Sequence, residues 1–347
     1  MRVGVLLLSA QFPSRSHADV LDAAVAAAAA AEDAGFDDVW VAEHHFMSYG
    51  VCPSALTMAG YLLGATRRIS LGTAVTVLST QHPVAVAEQA LLLDQLSGGR
   101  FRLGVGRGGP WIDLDVLTTR PGGYRSDFPE ALDLLLAALT GRPVRGTGPA
   151  FRFPEIAVVP GPRTPSGPGV VVAATSAETV ELAARRGLPL LLGMHADDAA
   201  KAAAIARYDR DAPPGPPAAG HISAGIAHVA DTDREAAALM RTHLPRWLGP
   251  GLAGYRRAEG AVHATRDPDD YAALLCRLHP VGSPELCRRR LARTVARTGV
   301  EHVALMVEGT GDPARTLENI RRLGAEVLPQ LRADVLRPTR TAEEASR

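Results

Sequence analysis

The sequence has few of the features that point to a polyanionic partner, an oxidising compartment or a membrane. Its 347 residues include 37 Lys and Arg against 37 Asp and Glu, so no basic surface for nucleic acid is implied. Cys52, Cys276 and Cys287 are the only cysteines, and this odd number, without a CxxC pair, cannot form a closed disulfide framework. The apolar run 3–8 is too short for a signal peptide or a bilayer span. We therefore expect a cytoplasmic protein.

Aromatic residues are also scarce, at 5%, whereas 46% of the residues are hydrophobic and 21% are charged. This composition can bury a large aliphatic core and excludes a chain that is disordered throughout.

Apolar runs without alternation, typical of strands buried on both faces of a parallel sheet, recur along the chain. They predict eight strands, at residues 3–8, 38–42, 69–77, 101–105, 170–173, 188–192, 221–229 and 300–307. Helices are predicted at residues 19–35, 54–66, 83–96, 124–140, 177–186, 196–210 and 231–247. This alternation predicts an α/β fold, a single-domain (β/α)₈ TIM barrel over residues 1–331, with a doubly wound open sheet as the alternative.

Two segments depart from the repeat. Residues 144–168 are rich in Pro and Gly and are predicted to form an extra hairpin, whereas residues 250–280 combine Gly, Pro and charge and are predicted to be a lid-like insertion. Residues 332–347 form a polar tail that we expect to fray.

Polar residues that directly follow a barrel strand are the first candidates for chemistry. Glu43, His44 and His45 follow the second strand and suit a general acid or base, a metal site or a hydrogen-bonded strand end. A metal site is the least favoured of these, because adjacent side chains of a strand point to opposite faces and no third ligand is evident.

A glycine-rich segment follows the fourth strand. Residues 104–109 match GxGxxG, but Pro110 and Trp111 follow, so no helix begins inside the glycines as the dinucleotide motif requires. The segment instead presents Arg107 at a strand end, where its guanidinium is suited to a phosphate or to a surface ion pair.

Hydroxyl groups occupy the start of the helix that follows the fifth strand. Thr175, Ser176 and Thr179 are ordinary capping residues, but together with Arg107 and Arg125 they would form a pocket for one phosphate. The fourth and fifth strands must be neighbours for this, as the barrel order places them.

Six segments together resemble the bacterial luciferase family, nearest its α subunit. They are EHHF at 43–46, YLLGAT at 61–66, HPV at 82–84, LLDQLS at 92–97, GRFR at 99–102 and PVGSPE at 280–285. The resemblance implies a (β/α)₈ enzyme that binds reduced FMN or, in one branch, a deazaflavin coenzyme. The monooxygenases of the family form a flavin C4a-hydroperoxide with molecular oxygen.

The resemblance also implies roles for single residues. His44 corresponds to the catalytic histidine, and Glu43 lies beside it. Arg107, Arg125, Ser176 and Thr179 correspond to phosphate contacts, with Thr175 next to them. Ala74 and Val75 correspond to a pair joined by a non-prolyl cis peptide against the flavin.

The chain departs from luciferase at several positions. Gly106 stands where luciferase has a cysteine, which predicts a larger pocket, and Met194 and His195 replace a stretch that carries tryptophan. The segment 260–280 is shorter than the luciferase lid. His45, Met194, His195 and Trp247 are candidate substrate contacts, with core packing as the alternative for Trp247.

The expected function is a two-component monooxygenase supplied with reduced FMN by a separate flavin reductase, acting on a small to medium apolar substrate. The alternatives are a deazaflavin-dependent hydride-transfer enzyme and a non-catalytic flavin-binding protein. The helix 83–97 matches the family's subunit interface, so we expect a homodimer.

Overall fold

The computed structural model describes residues 1–109, 111–118, 121–165, 167–215, 220–256 and 266–336. Eight parallel strands close into a barrel in which each strand pairs with its neighbours in chain order and the last pairs with the first. These strands are β1 (Arg2–Leu7), β2 (Asp38–Val41), β3 (Ser70–Thr73), β4 (Phe101–Gly106), β5 (Gly169–Ala173), β6 (Leu190–Leu192), β7 (Ile222–Ile226) and β8 (His302–Met306). The predicted (β/α)₈ barrel is confirmed, and the open sheet is excluded.

Twelve α-helices are found in the described ranges, most of them packed outside the barrel. They are α1 (His17–Asp33), α2 (Ala55–Ala65), α3 (Pro83–Ser97), α4 (Ile112–Leu117), α5 (Phe128–Leu139), α6 (Ala177–Arg185), α7 (Asp198–Asp211), α8 (Asp233–Ala253), α9 (Pro268–Leu278), α10 (Pro284–Thr298), α11 (Pro313–Arg322) and α12 (Leu328–Leu336). Short helical turns lie at Leu78–Thr80, Pro121–Gly123 and Leu323–Val327. Within these ranges, no helix has both the length and the apolar composition to cross a bilayer.

Side-chain alternation along the strands divides the core in two. Val3, Val5 and Leu7 point outward to a cluster shared with the helices. Leu6 and Leu8 point inward to a second cluster, which α8 and α9 extend. The barrel is thus a packed core, as small parallel barrels require, and polar groups collect at the strand ends.

The segment 144–168 contains the predicted hairpin, with antiparallel strands at Val144–Thr147 and Arg152–Ile156. Two predicted strands are shorter than expected. The third breaks after Thr73 and resumes at Thr76–Val77, and the seventh ends at Ile226, after which His228–Val229 pairs with Val281–Gly282.

Residues 250–280, for which a lid-like insertion is predicted, begin and end in helices. Helix α8 continues through Pro245 and Pro250 to Ala253, and α9 fills 268–278. Asp267 starts α9 by accepting hydrogen bonds from the N–H groups of Asp269 and Asp270. Residues 257–265 of the expected lid and 337–347 of the expected tail lie outside the described residues.

Candidate active site at the carboxyl ends of the strands

Glu43, directly after β2, links two backbone segments of the site by hydrogen bonds. Its carboxylate accepts one hydrogen bond from the N–H of Ala55 and one from the N–H of Val77, both at 3.0 Å. These bonds connect β2 to the start of α2 and to the segment that follows β3. Both Glu43 oxygens are therefore engaged by the protein backbone.

His44 lies half-buried among aromatic rings. Its imidazole meets the ring of Tyr49 edge-on at 5.0 Å and that of Tyr255 at 6.5 Å. Its Nδ1 is buried and has no hydrogen-bond partner among the described residues. Burial, and to a lesser extent the charge of His45, lowers the pKa of His44 to about 4. The ring is thus neutral near pH 7 and can accept a proton.

His45 interacts electrostatically with a carboxyl group that the sequence patterns do not reveal. Its Nε2 lies 3.6 Å from Glu43 Oε1, and its charge acts on Asp113, a buried residue of α4. Desolvation raises the pKa of Asp113, and its Oδ1 has no hydrogen-bond partner in the described structure. Asp113 lies in a short helix between glycine-rich segments. No hydrophobic periodicity of the sequence predicts this helix, so Asp113 was not identified as a candidate site residue.

The peptide bond between Ala74 and Val75 is cis, as the resemblance implied. Both residues are half-buried at the mouth of the barrel and pack on the inner core cluster. Gly106, at the end of β4, lies against them. A Cβ atom at Gly106 would be 2.6 Å from Val75 Cγ2 and 3.7 Å from the Ala173 Cβ. The expectation of a larger pocket at Gly106 is therefore wrong, because Val75 occupies that space.

The two arginines predicted to bind phosphate both lie against the ring of Tyr124. The guanidinium groups of Arg107 and Arg125 lie 5.7 and 5.6 Å from the centre of its ring. Arg107 also pairs with Glu178 of α6 at 3.2 Å, and its buried Nε has no hydrogen-bond partner among the described residues. The structure therefore brings two cations to the start of α6.

The start of α6 supplies hydroxyl groups to this region. Ser176 caps the helix by accepting a hydrogen bond from the N–H of Thr179 at 3.3 Å, and the two hydroxyl oxygens are 3.0 Å apart. Thr175 is exposed beside them. Strands β4 and β5 are neighbours, as the predicted phosphate pocket required.

The four candidate substrate contacts have different environments. His45 and the half-buried Met194 lie at the mouth, where Met194 packs on the same inner cluster as Ala74 and Val75. His195 is exposed. Trp247 is fully buried, and its indole donates a hydrogen bond to the Tyr49 carbonyl at 2.9 Å. Trp247 is therefore a core residue behind Tyr49, in agreement with the alternative considered for it.

No group of three His, Cys, Asp or Glu side chains able to hold a metal ion is found in the part of the chain that the structure describes. What the site offers is a neutral histidine, an apolar floor that includes the cis peptide, and a cationic rim with hydroxyl groups.

The family model for luciferase-like monooxygenases matches residues 1–302. The alkanal monooxygenase alpha chain of the Kryptophanaron alfredi symbiont is 28% identical over 352 residues, which cover 96% of this chain and 99% of the relative.

Two solved structures share the fold. The oxygenating constituent of 3,6-diketocamphane monooxygenase from Pseudomonas putida, in complex with FMN, has a TM-score of 0.76 at 20% identity and covers 95% of this chain and 98% of its own. An F420-dependent secondary alcohol dehydrogenase has a TM-score of 0.73 at 17% identity, with 95% of this chain and 98% of its own covered. The chain therefore belongs to the luciferase-like monooxygenase family and is an oxidoreductase.

Proposed function

We propose that this protein is a two-component, FMN-dependent monooxygenase, in which a separate reductase supplies reduced FMN and molecular oxygen is the co-substrate. The observation that carries the proposal is the placement of a neutral, partly buried histidine and a cationic, hydroxyl-rich rim at the same end of the barrel. His44 follows β2 and Arg107 follows β4, so both lie at the carboxyl ends of the strands, where barrel enzymes bind their ligands. One planar cofactor with a phosphate tail would lie against both.

The residues present fit FMN. Arg107 Nε is buried without a partner in the described structure, although a buried guanidinium group normally makes hydrogen bonds. A phosphate beside Arg107 would accept this hydrogen bond and would also meet Arg125 and the Ser176 and Thr179 hydroxyls. The half-buried Ala74 and Val75 would form the apolar surface under the flavin ring.

Reduced FMN, when bound, would supply the two electrons that reduce molecular oxygen, so that one oxygen atom enters the substrate and the other leaves as water. The protein groups would control protons and water. The His44 imidazole would accept or return a proton, and Tyr49 and Tyr255 would exclude water around it. Glu43 would hold the backbone on both sides of His44 rather than react itself.

The proposed substrate class follows from the residues that line the mouth of the barrel. Ala74, Val75, Ala173 and Met194 are apolar, partly buried and packed on the inner core cluster, and we propose that they form the floor of the mouth. We therefore propose a small to medium apolar organic substrate, with His45 and Asp113 as the polar groups nearest to it.

The decisive experiment mixes the protein with reduced FMN without oxygen and then adds oxygenated buffer while absorbance is recorded. A transient absorbance that belongs to neither reduced nor oxidised flavin, and that decays more slowly than free reduced flavin oxidises, is the expected result. Failure of reduced FMN to bind would overturn the proposal.

A deazaflavin-dependent hydride transfer is the second candidate, because the barrel is also similar to the F420-dependent alcohol dehydrogenase. Such an enzyme would consume no oxygen, so an oxygen electrode separates the two reactions. A non-catalytic flavin-binding protein would bind FMN without turnover in either assay.

We further propose a homodimer formed through the helix 83–97. Three large apolar side chains on α2 and α3 are exposed: Tyr61 by 65%, Leu92 by 47% and Leu96 by 76%. Exposed apolar side chains gathered on neighbouring helices are typical of a subunit interface. Light scattering should give a dimer mass for the wild type and a monomer mass for Leu96→Asp, and a wild-type monomer would contradict the proposal.

The reductase need not dock permanently, since reduced FMN can diffuse between the proteins. We place both in the cytoplasm, because Cys52, Cys276 and Cys287 are all buried free thiols, which suits a reducing compartment.

A further inference from the structure

Strands β6 and β7 separate before they reach the mouth of the barrel. They pair at only two positions, Leu191 with Ile222 and Leu192 with Ser223. On its other side β7 remains paired with β8 as far as Ile226 and Met306. The carboxyl ends of β6 and β7 are therefore held apart by something other than the hydrogen bonds of the sheet.

Lys201 of α7, the only lysine in the sequence, fills the lower part of this gap. It is buried, and its ammonium donates hydrogen bonds of 2.8 Å to the Ser223 hydroxyl and to the Ala224 carbonyl. Burial lowers the pKa of Lys201 to about 8. The ammonium group of Lys201 thus donates the hydrogen bond that the Ala224 carbonyl would otherwise receive from a neighbouring strand.

His279, at the end of α9, fills the upper part of the gap. Its Nε2 donates a hydrogen bond of 2.6 Å to the carbonyl of Met194, two residues after β6. Burial lowers the pKa of His279 to about 3, so the ring is neutral. Since a carbonyl can only accept, the single ring proton is on Nε2. Gly225 of β7 leaves room for the ring, because a Cβ atom there would be 2.7 Å from Nδ1.

The backbone around His279 is itself fixed. Arg290 Nη1 donates hydrogen bonds to the carbonyls of Cys276, His279 and Val281 at 2.7, 2.5 and 3.2 Å. The backbone that carries the imidazole is therefore anchored to α10.

We infer that His279 is a positioning residue: wedged between β6 and β7, it holds the Met194 carbonyl and so sets the place of the Met194 side chain in the apolar floor of the mouth. This inference rests on the proposed function for its effect on the reaction, because Met194 shares that floor with Ala74, Val75 and Ala173. His279 itself touches neither the cationic rim nor His44 in the described contacts, so it acts through Met194.

Two amide substitutions test the hydrogen bond with matched chemistry. In His279→Gln the amide nitrogen lies about as far from the backbone as Nε2 and can still donate to Met194, whereas the shorter Asn of His279→Asn cannot reach it. Gly225→Ala is a third variant, which displaces the imidazole from the opposite side. All three are compared with the wild type after a thermal melt confirms folding.

The first readout needs no cofactor. Hydrogen peroxide oxidises accessible methionines, and peptide mass spectrometry follows the sulfoxide at Met194, with the fully buried Met240 as internal reference. We expect oxidation of Met194 to be about threefold faster or more in His279→Asn and Gly225→Ala, and close to wild type in His279→Gln. Equal rates in all four proteins, or a failure of Gln to restore the wild-type rate, would overturn the inference.

The second readout uses the holoenzyme and its substrate. His279→Asn should bind FMN as tightly as the wild type but convert a smaller share of the oxidised flavin into oxygenated product, and His279→Gln should restore that share. An unchanged share in His279→Asn would overturn the positioning role. A wild type that does not bind reduced FMN would overturn the proposed function and leave the oxidation result at Met194 as it stands.

Discussion

The imidazole of His44 meets the ring of Tyr49 edge-on, with 5.0 Å between the ring centres. Tyr49 is held from behind by Trp247, whose ring lies 4.6 Å away and whose indole binds the Tyr49 carbonyl. A fully buried tryptophan thus orients the histidine of the site through one intermediate ring. Trp247 can therefore influence the position of His44 through Tyr49, although Trp247 itself does not line the mouth of the barrel.

Replacing His44 by Ala should abolish most oxygenation. A positioned acid or base contributes roughly 10²- to 10⁴-fold to a rate, so we expect product formation by His44→Ala to fall by about that factor. FMN binding should change little, because the cationic rim is intact. Product yield and flavin oxidation are measured together, with exposed His17, at the start of α1, replaced by Ala as the control. Unchanged turnover in His44→Ala would remove His44 from the mechanism.

Gly106→Ala should weaken FMN binding, because the new methyl group would be 2.6 Å from Val75 Cγ2 and must displace Val75 from the floor. The control shortens Val75, the side chain that the new methyl group would meet. The double variant Gly106→Ala with Val75→Ala removes that contact and should recover part of the affinity, which a fluorescence titration with FMN measures. Additive losses in the double variant would mean that the two positions do not interact.

Much of the fold was predictable because each barrel strand is a short apolar run followed by a helical pattern. The positions of the polar clusters were harder to predict from the sequence. The charge of His45 acts on Asp113, and His279 donates a hydrogen bond to Met194, across more than 60 residues of chain, and no local sequence pattern reports such interactions. The predicted end of α8 was also wrong. The helix was predicted to end at residue 247, before Pro250, whereas it continues to Ala253 and packs on the inner core. Gly106 shows the same limit, since only the structure reveals that Val75 fills its space.

Glu178→Gln should tighten FMN binding. The Glu178 carboxylate pairs with Arg107 at 3.2 Å, so it competes with a phosphate for the same guanidinium group and repels its negative charge. Because Glu178 is largely exposed, the gain should be modest, about two- to fivefold in Kd at low salt, and smaller at high salt. Glu181→Gln on the same helix, which breaks the ion pair with Arg207 instead, is the matched control. Weaker binding by Glu178→Gln would show that the Arg107–Glu178 pair orients the arginine for phosphate.

Acid should destabilise the wild type more than His279→Gln. The pKa of His279 is about 3 in the folded protein and 6.5 for the free side chain, so between these values the unfolded chain binds the additional proton. The stability that His279 contributes is therefore complete above pH 6.5 and is lost as the pH falls toward 3. Glutamine keeps the hydrogen bond to Met194 but takes up no proton.

Urea unfolding of both proteins at pH 7 and pH 4.5 measures this difference. The free energy of unfolding of the wild type should fall by about 2 to 3 kcal/mol more than that of His279→Gln, since each unit of pKa difference corresponds to about 1.4 kcal/mol. The buried His44 and His228, whose pKa values are also lowered to about 4, titrate in both proteins and cancel in the comparison. Parallel losses in the two proteins would mean that His279 is protonated in the folded state, and a protonated ring would no longer be confined to the single tautomer assigned to it.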